Sequence, residues 1–163
     1  SISDTGKVVC LNKNPKMDVL NEVLEEIGQE QAIIWTNYTQ EREAIHNELG
    51  RKSVRLDGHT KDKDQVIQDF TYGKIQYLIA DKRSVSHGLT FTACTQQIFY
   101  SLDYSAELYV QGRDRTHRIG QKRNCTYYHL MVKDSVDEIM QGVVTGKINN
   151  QEAIRRLMQW KKT

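Results

Sequence analysis

Ala32-Ile33-Ile34-Trp35-Thr36-Asn37 opens a stretch that closes on Ser53-Val54-Arg55-Leu56-Asp57-Gly58-His59-Thr60. The first segment is a short apolar run with a polar tip, the pattern of a parallel strand covered on both faces. Thr39 is placed to cap a helix carrying Ala44, Ile45 and Leu49, and Gly50 is placed to end it. The second strand, 53–56, runs into a polar turn in which Thr60 can cap another helix, bearing Val66, Ile67 and Phe70 and closed by Gly73. Strand, polar turn, helix and glycine recur in the same order, which predicts right-handed βαβ units and a parallel sheet. In open α/β sheets ligands collect beyond the carboxyl ends of the strands, so the polar tips are the candidate contact surface.

The pattern extends in both directions. Upstream, 1–13 reads as a lead-in segment in which Val8-Val9-Cys10-Leu11 suits a short strand or a docking arm. Asn14 and Pro15 signal a helix start, Met17, Leu20, Leu24 and Ile27 follow at helical spacing, and Gly28 stops it. Downstream, 75–80 and 97–102 read as further strands, and 124–131 alternates as a fifth, placed at the sheet edge. Ser135-Val136-Asp137-Glu138 is a capping box, Gly146-Lys147 breaks the helix it starts, and Asn150 begins a last helix with Ile154, Leu157 and Met158 on its apolar stripe. One α/β domain over 1–163, with 148–163 as a C-terminal helix, is the expected organisation.

Gln111-Gly-Arg-Asp-Arg-Thr-His-Arg-Ile-Gly-Gln121 concentrates charge in a chain whose net charge is only +2. Arg113, Arg115, Arg118, Lys122 and Arg123 fall within 111–123 against one acid, Asp114, a local density that suits a polyanion. Arg115 and Arg118 share one face if the segment is helical and can approach one phosphate. An exposed basic helix face touching nothing specific is the plain alternative that composition allows.

The full spelling resembles the last conserved motif of superfamily-two helicases, in the form carried by SWI/SNF-related ATP-dependent DNA translocases. Gln111, Asp114, Arg115, His117, Arg118, Ile119, Gly120 and Gln121 match at fixed spacing. Leu56-Asp57-Gly58-His59-Thr60 resembles that family's Leu-Asp-Gly-x-Thr. Ile33-Ile34-Trp35-Thr36-Asn37 is similar to the motif in which the lobe's first strand ends beside nucleic acid. The loop 81–91 resembles a Gly-rich loop of the family, matched outright at Gly88 and Leu89; Ser84, Val85 and Ser86 stand where small residues and glycines are usual. His87 before Gly88 is similar to a bacterial and phage branch.

The resemblance implies a RecA-like parallel sheet of five to six strands flanked by helices, a P-loop NTPase-like three-layer sandwich. It implies that Arg115 and Arg118 act as arginine fingers on ATP held by a partner lobe, with Gln111 and Gly88 at the nucleotide. It also implies contact with the DNA backbone, independent of base sequence. Trp35, Thr36, Asn37, Thr60, Lys82, Arg83 and Ser84 are the candidates for that contact. No G-x-x-x-x-G-K-[ST] and no Asp-Glu-x-His occurs, so ATP and Mg²⁺ are expected to be held mainly by an N-terminal lobe of the same protein. The expected activity is ATP hydrolysis by a helicase or translocase when both lobes are joined, with this chain alone inactive.

Composition bounds the rest. Hydrophobic residues at 38% and charged residues at 27% exclude a disordered chain. No apolar run approaches the ~20 residues of a membrane span, and the N-terminus lacks a signal-peptide layout, so no membrane partner and a cytosolic protein are expected; the resemblance to the bacterial and phage branch implies the cytoplasm of a bacterial or phage-infected cell. Cys10, Cys94 and Cys125 are odd in number and far apart, and the five His are scattered, so reduced thiols and no metal centre are expected. Two other classes compete: a nucleic-acid-binding module without catalysis, and a scaffold lobe with vestigial motifs.

Overall fold

The computed structural model describes residues 5–11, 16–81, 83, 96–101, 126–132, 139, 142, 146 and 149–162. Its strands are β1 (Thr5–Leu11), β2 (Ala32–Thr36), β3 (Ser53–Leu56), β4 (Tyr77–Asp81), β5 (Gln96–Phe99) and β6 (Thr126–Val132). The helices are α1 (Lys16–Ile27), α2 (Thr39–Leu49), α3 (Lys63–Thr71) and α4 (Asn150–Lys162). The strands form one six-stranded sheet in the order β1-β6-β5-β2-β4-β3, and every pairing is parallel. The predicted α/β sandwich is therefore present. The edge strand is β1, however, and β6 lies inside between β1 and β5, because the lead-in segment pairs along the whole of 126–132.

Two apolar layers enclose the sheet, and the pleat decides which residue joins which. Ala32, Ile34, Tyr77, Ile79, Ile98, Tyr128 and Leu130 face Leu20, Val23, Leu24 and Ile27 of α1 and Ile45 of α2. Their strand neighbours Ile33, Trp35, Leu78, Ala80, Phe99 and Tyr127 face the other way, onto Phe70, Val66 and Ile67 of α3. All five residues of β2 are buried, as its near-continuous apolar run requires. The α1 stripe follows the predicted spacing, and Gly28 closes the helix at φ 71°, a conformation that glycine adopts without a Cβ penalty.

Three local expectations change. Thr39 is the first helical residue of α2, and Tyr38 stands at the N-cap without a side-chain cap bond; Thr39 Oγ1 instead accepts from Arg42 at 3.0 Å. The cap of α3 is Asp62, whose Oδ1 accepts from Gln65 N at 3.0 Å, because Thr60 is engaged in the preceding turn. The α4 stripe is mostly exposed, with Ile154 58% and Met158 61% exposed, Leu157 half-buried and Ala153 buried, and Asn149 Oδ1 accepts from Glu152 N at 2.8 Å to start the helix. Ala44, expected on the α2 stripe, is exposed as well.

Within the second layer, the Trp35 indole N–H donates to Gln97 Oε1 at 2.7 Å, fully buried, and Phe99 stacks on His129 at 4.9 Å. Replacing Gln97 by Leu leaves a buried indole donor without this acceptor and is expected to destabilise the domain by about 1–3 kcal/mol in urea unfolding. Adding Trp35→Phe to that variant should cost less than the sum of the two single changes. Strictly additive losses would show that this hydrogen bond does not couple β2 to β5.

Candidate functional site

Chain order reverses at β2. From it the chain runs to β3 and back through β4 on one side, and to β5 and β6 on the other. The carboxyl ends of β2, β4 and β5 therefore border the crevice where an open α/β sheet presents its ligand site. In that crevice Asn37 N donates to Ser101 Oγ at 2.7 Å, and Ser101 Oγ donates to Glu41 Oε2 at 2.7 Å, joining the ends of β2 and β5 to the first turn of α2. Tyr100 N donates to Trp35 O at 2.9 Å. Burial, with Glu41 adding to it, raises the Tyr100 phenol above its ordinary pKa.

On the β3 side the centre is Arg42, only 3% exposed. The pleat places Thr36 and Asp81, register partners on β2 and β4, on the face that carries Ile34 and Ile79, which is the face covered by α2. Arg42 sits one turn ahead of the buried Ile45 on that helix. Its Nη1 donates to Thr36 Oγ1 at 3.1 Å and its Nε to Asp57 Oδ2 at 3.4 Å, and Nη2 lies 3.9 Å from Asp81 Oδ2. One planar guanidinium thus meets the ends of three adjacent strands.

The two carboxylates share their oxygens alike. Asp57 gives Oδ2 to Arg42, while its Oδ1 accepts the His59 backbone N–H at 2.9 Å; Asp57 N donates to Thr60 Oγ1 at 3.0 Å, and Thr60 N donates to Asp57 O at 3.2 Å. Asp81 turns Oδ2 to Arg42 and accepts the Arg83 N–H on Oδ1 at 2.9 Å. Burial pushes the Asp57 carboxyl up, but the His59 N–H, the charge and hydrogen bond of Arg42, and Arg55 together hold it below its ordinary value. A cleft of about 500 Å³ opens beside this turn, lined by Thr39, His46, Arg55, His59, Thr60 and Val66 among others.

The candidate contact residues divide accordingly. Asn37 and Thr60 are half-buried at strand ends and Arg83 is exposed. Trp35 and Thr36 are fully buried, which corrects the expectation that they touch nucleic acid: residues inside a doubly covered strand point into one layer or the other, Trp35 toward α3 and Thr36 toward α2. Lys82, Ser84, Gly88, Gln111, Arg115 and Arg118 lie outside the described residues. Among the described residues no group of three His, Cys, Asp or Glu could hold a metal ion, and Asp57 and Asp81 are turned to Arg42. Arg42 itself was absent from the sequence reading. Its place at the start of the 42, 45, 49 spacing marks it as facing the core, and an arginine there requires buried acceptors.

Breaking the pair from the acid side is expected to be costly. Asp57→Asn leaves Arg42 with only part of its charge compensation and should lower stability by about 3 kcal/mol or more at neutral pH. The lowered pKa of Asp57 means that its contribution is complete above the ordinary value of 3.8 and is lost as pH falls through the folded-state value. Urea titrations of both proteins should therefore converge in acid and stay apart from pH 5 upward; a gap independent of pH would contradict the charge pairing.

The profile of the family described as helicase conserved C-terminal domain matches residues 15–120. A chromatin-remodeling ATPase INO80 of Eremothecium gossypii is 27% identical over 152 residues, which are 88% of this chain and 11% of that protein. The helicase swr1 of Schizosaccharomyces pombe is 31% identical over 133 residues, 77% of this chain and 10% of that protein. The chain thus spans about a tenth of the length of the curated relatives it matches. In solved structures, the C-terminal part of the Fun30 ATPase domain superposes with a TM-score of 0.71 at 25% identity, covering 85% of this chain and 47% of that one. The C-terminal domain of the DEAD-box protein Dbp5 superposes at 0.74 over 99% of this chain and 98% of that one; at 19% identity this establishes the RecA-like fold. These relatives are eukaryotic, which overturns the bacterial or phage type expected from His87 and, with it, the cytoplasm of a bacterial or phage-infected cell. A histidine before Gly88 is a single residue in a loop that otherwise departs from the family pattern, too little to fix a branch. Fold and profile agree: the chain belongs to the helicase conserved C-terminal domain family.

Proposed function

We propose that this domain is the second motor lobe of an ATP-dependent DNA translocase or helicase. ATP and Mg²⁺ are held mainly by the N-terminal lobe of the same protein. Arg115 and Arg118 close over the γ-phosphate from this side, and Gln111 and Gly88 complete the nucleotide's surroundings. Two fixed guanidinium groups stabilise the charge that develops on the transferring phosphoryl oxygens while water attacks in line. The observation that carries this reading is the spelling 111–121, which a family profile covering 15–120 reaches almost to its end.

DNA is met at the strand ends. Asn37, Thr60 and Arg83, with Lys82 and Ser84, approach the phosphate backbone and make contacts that carry no sequence information. The crevice geometry supports this for Asn37, Thr60 and Arg83, which all stand beyond the carboxyl ends of β2, β3 and β4 and keep exposed or half-exposed surface. Opening and closing of the two lobes over each ATP then advances the protein along the strand. Alone, the lobe lacks the phosphate cradle and turns over no ATP.

ATP hydrolysis by the full-length protein, with and without duplex DNA, tests the finger role. Arg115→Ala and Arg118→Ala should each lower the DNA-stimulated rate by ~10³-fold or more while ATP binding is retained. Unchanged turnover in both variants would assign these arginines to DNA or solvent instead.

A further inference from the structure

We infer that Arg42 is a positioning residue that fixes the mutual spacing of three DNA contacts, Asn37, Thr60 and Arg83, without touching DNA itself. The inference rests on the nucleic-acid reading above and extends it to a buried side chain. At 3% exposure Arg42 has no surface to offer a phosphate, yet beside the bond from Nη2 to Thr39 Oγ1 at 3.0 Å each guanidinium nitrogen that donates or lies near an acceptor also approaches a residue that adjoins or holds one contact. Thr36, which accepts from Nη1 at 3.1 Å, immediately precedes Asn37. Asp57, accepting from Nε at 3.4 Å, shapes the turn that presents Thr60 through the bonds of its own backbone and of Oδ1. Asp81, 3.9 Å from Nη2, holds the Arg83 backbone N–H on its other oxygen at 2.9 Å.

A carboxylate that divides its two oxygens between a fixed cation and a turn transmits the cation's position to that turn. Two such carboxylates and one hydroxyl on a single planar group leave little freedom between the three strand ends. Phosphates along a nucleic-acid strand are regularly spaced, so contacts held at fixed separation engage together, whereas contacts that drift apart engage one at a time and lose affinity.

Arg42→Lys removes the planar fork and is the direct variant, but a buried lysine among these acceptors can destabilise the whole lobe. Asp81→Asn is the more discriminating one. It keeps an acceptor for the Arg83 N–H and leaves the Arg42–Asp57 pair intact, while the charged arm from Arg42 to β4 is lost. In the full-length protein, binding of a fluorescent duplex DNA across a salt series should weaken roughly tenfold in Asp81→Asn. The slope of log affinity against log salt should fall by about 0.9, the worth of one phosphate contact. Arg83→Ala should give the same change in slope, the double variant no further change, and Asp81→Glu a return toward wild type, all measured at a temperature where every variant is folded.

Wild-type affinity and slope in Asp81→Asn, alongside weakened binding in Arg83→Ala, would overturn the inference while leaving the DNA reading in place. Loss of affinity that tracks a lowered Tm and is not restored by Asp81→Glu would also overturn it, assigning Arg42 to stability alone. If the wild-type protein shows no salt-dependent DNA binding, the nucleic-acid reading fails, and this inference fails with it.

Discussion

A guanidinium buried between a sheet and a helix is the constraint around which this lobe is arranged. Arg42 costs several kcal/mol to desolvate, and the fold offsets that cost by bringing Thr36, Asp57 and Asp81 to it from three neighbouring strands, beside Thr39 on its own helix. The parallel register makes this feasible, since Thr36 and Asp81 are partners across β2 and β4 and therefore point into the same layer. Were either strand shifted by one residue, a carboxylate or hydroxyl would turn toward α3, and the arginine would be left without it. The charge network and the sheet register thus specify one another.

That arrangement separates two tasks within one end of the sheet. Packing is carried by the strand interiors, where Ile33, Ile34, Trp35, Leu78 and Ile79 fill the layers on either side. The first residues beyond each strand, to which the proposed function assigns recognition, need no apolar neighbours, and their backbone is oriented by the polar cluster beneath them. Sequence-independent contact with a phosphate backbone asks for such a surface: a few donors and cations at set positions, with no pocket shaped for a base. The same logic accounts for Trp35. Trp35 stands beside a polar strand tip, but its indole is committed to Gln97 inside the α3 layer.

The sheet was legible because its signals are periodic and local. Short apolar runs, polar tips and helix-ending glycines placed β2, α2, β3, α3 and β4 in order, and the glycine after α1 carries the positive φ that its position implied. The position of the strands in the sheet was not legible for β6, because an alternating pattern cannot reveal that an upstream segment will pair with it. Capping was misread twice for one reason. Thr39 and Thr60 have the right side chain for a cap, but each hydroxyl is taken by a partner three residues away in sequence, Arg42 in the first case and the Asp57 turn in the second. Arg42 was missed since a charged residue on a helix is ordinarily read as solvent-facing, and only its spacing from Ile45 and Leu49 says otherwise. The motif 111–121 carries the family resemblance through residue types at fixed intervals, a signal independent of any strand or helix assignment.

The central claim is that this domain is half of a nucleotide-driven motor. ATP turnover measured for the isolated chain and for the same chain joined to its own N-terminal lobe, each with and without duplex DNA, tests it most directly. No turnover from the chain alone, with DNA-stimulated turnover from the joined protein, is the predicted result. DNA binding by the joined protein with no ATP turnover under any condition would contradict the account and leave a nucleic-acid-binding module in its place.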